Sequence, residues 1–176
     1  MKKALLLAIA SLLICGTHAQ VKWHTIEEAS KATIGDRLYL VDFYTSWCGY
    51  CKKMDRETFT DPTVVALLDR YFYPVKFNAE GHNTFTWNGY TYRPASGSSR
   101  VHSFAKAIKG YPSFALFRAD GSLLQIIPGF YPAADFTTVL WYFASGDYQR
   151  FPNFEQYSQR FDHDFRPIMQ SQLKAN

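Results

Sequence analysis

An apolar segment followed closely by two cysteines is the feature that most constrains how this chain folds. Residues 38–44, with the sequence LYLVDFY, are aromatic, aliphatic or β-branched except for one aspartate, and Gly35-Asp36 precedes them as a turn signal. A run of this length and composition predicts a buried central strand. Cys48 follows four residues after the run and begins the first turn of a predicted helical segment. The two cysteines are therefore predicted to lie where a buried strand leads into a helix.

The N-terminus has the charge and hydropathy order of an export signal. Lys2 and Lys3 precede an apolar run over residues 4–14, and Thr17-His18-Ala19 has the pattern of a cleavage site. The run is too short to span a bilayer. We therefore expect cleavage after Ala19, a periplasmic or secreted protein, and no stable membrane insertion after cleavage. Loss of the two lysines lowers the formal net charge from +4 to +2, which leaves no basic patch that would favour nucleic acid.

Two cysteines remain in the mature chain, because Cys15 leaves with the signal. A disulfide that closes so short a loop removes little conformational entropy, so a purely structural role is a poor explanation. The pair is a redox-active dithiol, half of a metal site, or accidental. Zinc takes four ligands, and His24, His82, His102 and His163 have no paired spacing that completes such a site. We expect no metal site and surface positions without a catalytic role for the histidines, while a Cu(I) site from two thiolates stays open.

The position of the cysteine pair favours redox chemistry. At a helix N-terminus the Cys48 sulfur faces unpaired N–H groups and the positive end of the helix dipole, which lowers the pKa of the thiol and makes Cys48 a nucleophile. Cys51 lies one turn further on the same face, where it can resolve a mixed disulfide. Asp42 is an acid within an apolar strand, and burial of an unpaired carboxylate is costly. It is either a strand-edge residue that faces water or a buried proton acceptor for Cys51, with its pKa raised by desolvation.

Residues 41–52, VDFYTSWCGYCK, resemble the active-site segment of thioredoxins. Residues 75–78 resemble the third strand of that family, residues 111–117 its cis-proline loop and the strand that follows, and residues 119–122 a turn before its last strand. The resemblance covers roughly residues 21–146. It implies an α/β thioredoxin fold, in which a central mixed β-sheet is flanked by helices.

The resemblance also implies roles for individual residues. Four would be catalytic: the family's cysteine pair is matched by Cys48 and Cys51, its buried aspartate by Asp42, and the lysine that pairs with this aspartate by Lys76. The residues expected to bind substrate surround the dithiol: Trp47, Gly49, Tyr50, Tyr111 and Pro112. The cis-proline of the family exposes the neighbouring main chain to an extended substrate. No cofactor is implied beyond the redox-active disulfide itself.

Departures from ordinary thioredoxins indicate a branch of the family. Residues 51–64 lack the proline that kinks the active-site helix and look like the periplasmic thioredoxin-like domain of the membrane reductant conductor DsbD. This likeness implies a reductase of protein or peptide disulfides that receives electrons from a membrane thiol donor.

Two other functions stay open. Gly49-Tyr50 is the dipeptide of the disulfide isomerase DsbC, but only about two dozen residues separate Ala19 from the first family strand, too few for the dimerisation region of that isomerase. A disulfide isomerase is therefore one alternative. A non-enzymatic module that binds Cu(I) or a peptide is the other.

The rest of the chain fits one domain, residues 20–146. Thr25 and Glu28 form a capping box for a short helix, and Asp61-Pro62 opens a helix after the cysteine helix. Residues 81–103 are interpreted as an insertion with a hairpin at Asn88-Gly89. A helix is predicted from Arg100 to Lys109.

Aromatic residues make up 18% of the chain, and two groups of them lie outside the thioredoxin motifs. In a C-terminal extension, residues 147–176, four recur at helical spacing, which favours a helical segment packed on the domain over a partner-binding groove: Phe151, Phe154, Tyr157 and Phe161. Four more in the insertion are expected to form a specificity surface: Phe85, Trp87, Tyr90 and Tyr92. Trp47, Tyr50 and Tyr111 are expected to form a substrate platform around the dithiol.

Overall fold

A computed structural model describes residues 20–96 and 101–175. The predicted signal peptide, residues 1–19, lies outside the described residues, as does Arg100. The strands are β1 (Leu38–Tyr44), β2 (Phe72–Asn78), β3 (Phe85–Trp87), β4 (Tyr90–Tyr92), β5 (Ser113–Phe117) and β6 (Leu123–Pro128). The α-helices are α1 (Ile26–Ala29), α2 (Gly49–Glu57), α3 (Pro62–Tyr71), α4 (Ala133–Ala144), α5 (Asp147–Arg150), α6 (Phe154–Arg160) and α7 (Arg166–Lys174).

The local signals at the helix starts act as predicted. The Glu28 N–H donates to Thr25 Oγ1 at 3.2 Å, and the Thr25 N–H donates to the Glu28 carboxylate at 2.8 Å, which completes the capping box of α1. Asp61 accepts from the Thr63 N–H at 2.9 Å and caps α3, with Pro62 as its first residue.

The central sheet is mixed, and β1 lies inside it as predicted. The strand order is β2-β1-β5-β6. β1 runs parallel to β2 and antiparallel to β5, and β6 runs antiparallel to β5. Because side chains alternate along β1, Leu40 and Asp42 face one side of the sheet while Val41 and Phe43 face the other.

Each face of the sheet is covered by a different set of elements. Leu40 belongs to a core with side chains from α2, α3, α4 and the C-terminal extension. Val41 and Phe43 belong to a second core, which is closed by α1 and by the β3–β4 hairpin. The dithiol lies at the end of β1 from which α2 leaves, so both cores fix its position.

The hairpin forms at Asn88-Gly89 as predicted, but its aromatic residues do not form the expected specificity surface. Phe85 and Trp87 are only 6% and 4% exposed, and the Trp87 indole N–H donates to the Gly121 carbonyl at 3.1 Å. Tyr90, at 69% exposed, is the one large side chain of this group that faces solvent. The expectation is wrong because the hairpin supplies the cover for the second face of the sheet.

The helix predicted over residues 100–109 is wrong in its described part, which holds only a 3₁₀ turn, Ser103–Ala105. The His102 N–H donates to the Ala79 carbonyl at 2.7 Å, and the Ser103 N–H donates to the Arg93 carbonyl at 3.0 Å. The Ala105 and Ile108 N–H groups each donate to the carbonyl three residues back, at 2.9 Å, so the segment forms tight turns in place of the i−4 bonds of an α-helix.

The surface position expected for His102 is also wrong. The residue is fully buried, and its Nδ1 accepts from the Phe104 N–H at 3.1 Å. The other ring nitrogen therefore carries the hydrogen, which it donates to the Asn83 carbonyl at 2.9 Å. His102 is a hydrogen-bonded core residue that ties the insertion to the sheet.

The C-terminal extension is helical and packs on the domain, as its aromatic spacing predicts. Tyr157 and Phe161 are each 1% exposed and belong to the first core. The Tyr157 hydroxyl donates to Asp147 Oδ2 at 3.1 Å. A π-helical turn, Phe161–Phe165, joins α6 to α7. None of the described helices has both the length and the apolar character needed to cross a bilayer.

Candidate active site

The two cysteines lie at the start of α2, joined to each other by a disulfide. Cys48 is the N-cap residue, and its Sγ accepts a hydrogen bond from the Cys51 N–H at 3.0 Å. The Cys48 N–H in turn donates to the Thr45 carbonyl at 3.2 Å, which fixes the turn between β1 and α2. A sulfur in this position faces the positive end of the helix dipole and accepts the Cys51 N–H, and both interactions stabilise a thiolate after reduction.

Asp42 is buried on β1 and pairs with Lys76 on β2. The two residues are register partners in the parallel ladder, and Lys76 Nζ lies 2.9 Å from Asp42 Oδ2. Asp42 is 2% exposed, which excludes the strand-edge position facing water. Burial raises the pKa of Asp42 to about 6, although the Lys76 charge opposes the shift. The second carboxylate oxygen, Oδ1, is buried without a hydrogen-bond partner among the described residues.

Lys76 is shared between two carboxylates. Besides Asp42 it bonds Asp55, which lies on α2 one turn after Cys51. Its ammonium group also lies over aromatic rings, 4.7 Å from the Trp23 ring centroid and 5.1 Å from that of Phe59. Desolvation alone would lower the pKa of Lys76, but the two carboxylates outweigh it and hold this pKa above its ordinary value. The lysine therefore stays charged and links α2 to the strand that carries Asp42.

The loop before β5 faces the same end of the sheet. The Tyr111–Pro112 peptide bond is cis, and Pro112 is buried. The Pro112 carbonyl accepts from the Gly129 N–H at 2.9 Å, and Ser113 Oγ donates to the Gly110 carbonyl at 2.7 Å. Because β5 is the neighbour of β1, this loop lies beside the turn that leads into the dithiol.

Two aromatic side chains at the dithiol are highly exposed. Trp47 and Tyr50 expose 67% and 63% of their surface. Trp47 packs edge-on against Tyr111 with ring centroids 6.0 Å apart, and its indole N–H donates to Glu80 at 3.2 Å. Desolvation, with a contribution from the Glu80 charge, raises the pKa of Tyr111. Tyr50 instead lies 5.7 Å from Phe130, in the loop after β6.

The nine residues predicted from the sequence to be catalytic or to bind substrate all lie at one end of the sheet. The structure adds three that sequence reasoning missed: Asp55, Glu80 and Phe130. Asp55 follows Cys51 by four residues, so helical periodicity alone could have placed it on the same face. Glu80 comes two residues after β2 ends, whereas no local signal in the sequence marks Phe130. Over residues 20–96 and 101–175, no group of three or more His, Cys, Asp or Glu side chains could hold a metal ion.

Solved structures with the same architecture include a thioredoxin-fold protein from Helicobacter pylori, which is 16% identical, with 84% of this chain and 92% of that chain covered and a TM-score of 0.54. A thioredoxin from Thermus thermophilus is 19% identical, with coverages of 84% and 98% and a TM-score of 0.50. These likenesses confirm the predicted thioredoxin fold.

The DsbD branch stays a prediction. The C-terminal domain of DsbD from Neisseria meningitidis is 24% identical, with 60% of this chain and 79% of that chain covered and a TM-score of 0.41. A likeness this weak does not select a branch. No curated protein sequence matches the chain significantly.

A thioredoxin fold with a Cys-x-x-Cys pair capping the helix after its central strand defines a thiol–disulfide oxidoreductase. The family assignment comes from the sequence itself. The model of the thioredoxin-like domain matches residues 26–144, well over half of the chain. The chain therefore belongs to the thioredoxin-like family.

Proposed function

We propose that this protein is an exported reductase of protein disulfides that works through Cys48 and Cys51. The observation that carries the proposal is the placement of Cys48 Sγ at the N-cap of α2, where it accepts a hydrogen bond from the Cys51 N–H. The same helix carries Asp55, which binds Lys76 together with the buried Asp42. The family supports the redox class. The reducing direction, the residue roles and the export are our proposal.

The reaction begins with the reduced dithiol. The Cys48 thiolate attacks one sulfur of a substrate disulfide, forms a bond to it and expels the other substrate sulfur as a thiolate. Cys51 then loses its proton to Asp42 and attacks Cys48 Sγ, which releases the second substrate sulfur. Two electrons pass from the dithiol to the substrate, and the Cys48–Cys51 disulfide remains. A thiol donor must reduce this disulfide before the next cycle.

Asp42 and Lys76 divide the proton chemistry between them. With a pKa of about 6, the Asp42 carboxylate is mostly ionised at neutral pH, yet basic enough to take a proton from Cys51 and return it. Lys76 keeps the ionised form of Asp42 accessible, because its charge opposes the effect of desolvation. The carboxylate oxygen that has no partner among the described residues is the one available for the transferred proton.

The surface around the dithiol indicates the class of substrate, and the compartment indicates the electron donor. Trp47, Gly49 and Tyr50 are exposed beside the cysteines, and Tyr111 and Pro112 form the facing loop. An extended polypeptide would pair with the main chain at Tyr111, which suits a protein or peptide disulfide. The electron donor is a membrane thiol protein, since an exported reductase works in an oxidising compartment.

Insulin reduction tests the proposal. Residues 20–176 with dithiothreitol as donor should accelerate insulin precipitation, and Cys48→Ser should abolish the acceleration. A wild-type protein that fails to accelerate the reaction would leave the binding module as the better assignment. A stable dimer that also recovers scrambled ribonuclease would favour the isomerase.

A further inference from the structure

We infer that the site selects polypeptide disulfides whose reactive cysteine carries a bulky apolar residue on both sides, through two separate aromatic pairs. The inference rests on the proposed function and specifies which class of substrate the reductase prefers. One pair is Trp47 with Tyr111, and the other is Tyr50 with Phe130.

The first pair borders the nucleophile. Trp47 directly precedes Cys48 and crosses Tyr111 at an interplanar angle of 83°. The indole N–H donates to Glu80, so the ring is held in place although 67% of the residue is exposed. An exposed aromatic ring that is fixed in this way offers apolar contact at a low cost in side-chain entropy.

The second pair borders the resolving cysteine. Tyr50 directly precedes Cys51 and lies 5.7 Å from Phe130 at an interplanar angle of 44°. Lys53 Nζ lies over the Phe130 ring, 4.8 Å from its centroid, and 3.8 Å from Glu57 Oε2, so an ammonium group occupies one face of this ring. No ring contact joins this pair to the first among the described residues, which makes them two contact surfaces rather than one patch.

Short hydrogen bonds fix the loop that carries Phe130. On one side of it, the Gly129 N–H donates to the Pro112 carbonyl at 2.9 Å. On the other side, the buried Thr58 hydroxyl, at the C-cap of α2, donates to the Tyr131 carbonyl at 2.7 Å. The loop after β6, the cis-proline loop and α2 are thereby tied to one another. The two pairs stand at set positions around the dithiol before any substrate binds.

This arrangement accounts for the exposure of large apolar surface at the site. Elsewhere in residues 20–96 and 101–175, the highly exposed large apolar side chains are scattered over separate elements: Tyr90, Leu123 and Ile168. At the dithiol, Trp47 and Tyr50 stand three residues apart and each has an aromatic partner. Exposed aromatic clusters of this kind are characteristic of recognition surfaces. A cysteine with small polar neighbours would leave both pairs in water.

Four synthetic peptides test the inference. Each carries one cysteine as a mixed disulfide with 2-nitro-5-thiobenzoate, and phenylalanine stands before the cysteine, after it, on both sides or on neither, with glycine elsewhere. We expect the wild-type dithiol to have the highest kcat/KM for the peptide with both phenylalanines, about five- to tenfold above the next, as one aromatic contact provides. Trp47→Ala should lose the preference at one flank, and Phe130→Ala should lose it at the other.

Controls separate this inference from the proposed function. Tyr90→Ala removes an equally exposed ring far along the chain and should leave the wild-type order of peptides unchanged. Phe130→Leu should keep part of the preference, which guards against a folding defect in the alanine variant. The inference, but not the proposed function, would be overturned by equal kcat/KM for all four peptides. It would also be overturned if both alanine variants lost the phenylalanine preference at the same flank. A wild-type protein that reduces none of the peptides would overturn the proposed function instead.

Discussion

Replacement of Asp42 by asparagine should make the oxidised protein more stable at neutral and alkaline pH. Burial moves the pKa of Asp42 from an ordinary value of 3.8 to about 6, and each pKa unit corresponds to about 1.36 kcal/mol. Ionised Asp42 therefore costs the folded state about 3 kcal/mol relative to its protonated form.

The pH dependence has a definite sign. Below about pH 4, Asp42 is protonated in both the folded and the unfolded chain, so the full stabilisation of the neutral form is present. Between about pH 4 and pH 6 the unfolded chain releases the proton while the folded chain keeps it, and stability falls as pH rises. Above about pH 6 the loss is complete. Asp42→Asn keeps a neutral side chain throughout and escapes this loss.

Guanidinium unfolding of the oxidised proteins at several pH values measures the effect. We expect Asp42→Asn to exceed the wild type by up to about 3 kcal/mol at pH 8 and to match it near pH 3.5. Asp36→Asn, a change at an exposed carboxylate, controls for net charge and should show no such trend. A destabilised Asp42→Asn at pH 8, or a difference that does not change with pH, would refute the reasoning.

Three further predictions concern the rest of the molecule. Asp55→Asn removes a negative charge that raises the pKa of Asp42, so the pH midpoint for resolution of a Cys48 mixed disulfide should move to lower pH; a midpoint that moves up would contradict this. Tyr157→Phe deletes the hydroxyl that donates to the buried Asp147 and should cost about 1–3 kcal/mol in guanidinium unfolding, whereas Tyr90→Phe should cost almost nothing. Deletion of residues 147–176 uncovers the first core, which Tyr157, Phe161 and Met169 help to close, and should cost roughly 5 kcal/mol or more; an equally stable truncated protein would show that the extension is dispensable.

Strong local signals explain what could be predicted from the sequence. The apolar run of β1, the capping box at Thr25 and the Asp61-Pro62 helix start each depend on a few adjacent residues. The pairing of Asp42 with Lys76 came from the thioredoxin resemblance, and the register of β1 against β2 explains it physically. The three local signals do not depend on how distant parts of the chain meet, whereas the Asp42–Lys76 pair does.

The errors fall where distant contacts override local preference. Residues 101–109 have a helix-like composition, yet the His102 ring packs in the core against Phe77 and Phe85 and only a 3₁₀ turn forms. The sequence around Phe85 and Trp87 is compatible with exposed or buried side chains. They are buried because the hairpin covers the second face of the sheet. Phe130 packs against Tyr50 where the loop after β6 is hydrogen-bonded to the cis-proline loop, which no sequence periodicity reveals.

The equilibrium potential of the Cys48–Cys51 disulfide against glutathione tests the central claim most directly. The proposed reductase requires a potential near that of thioredoxin, about −270 mV, because electrons must flow from this dithiol to substrate disulfides. A value above about −150 mV, close to that of a disulfide oxidant, would contradict the reductase assignment.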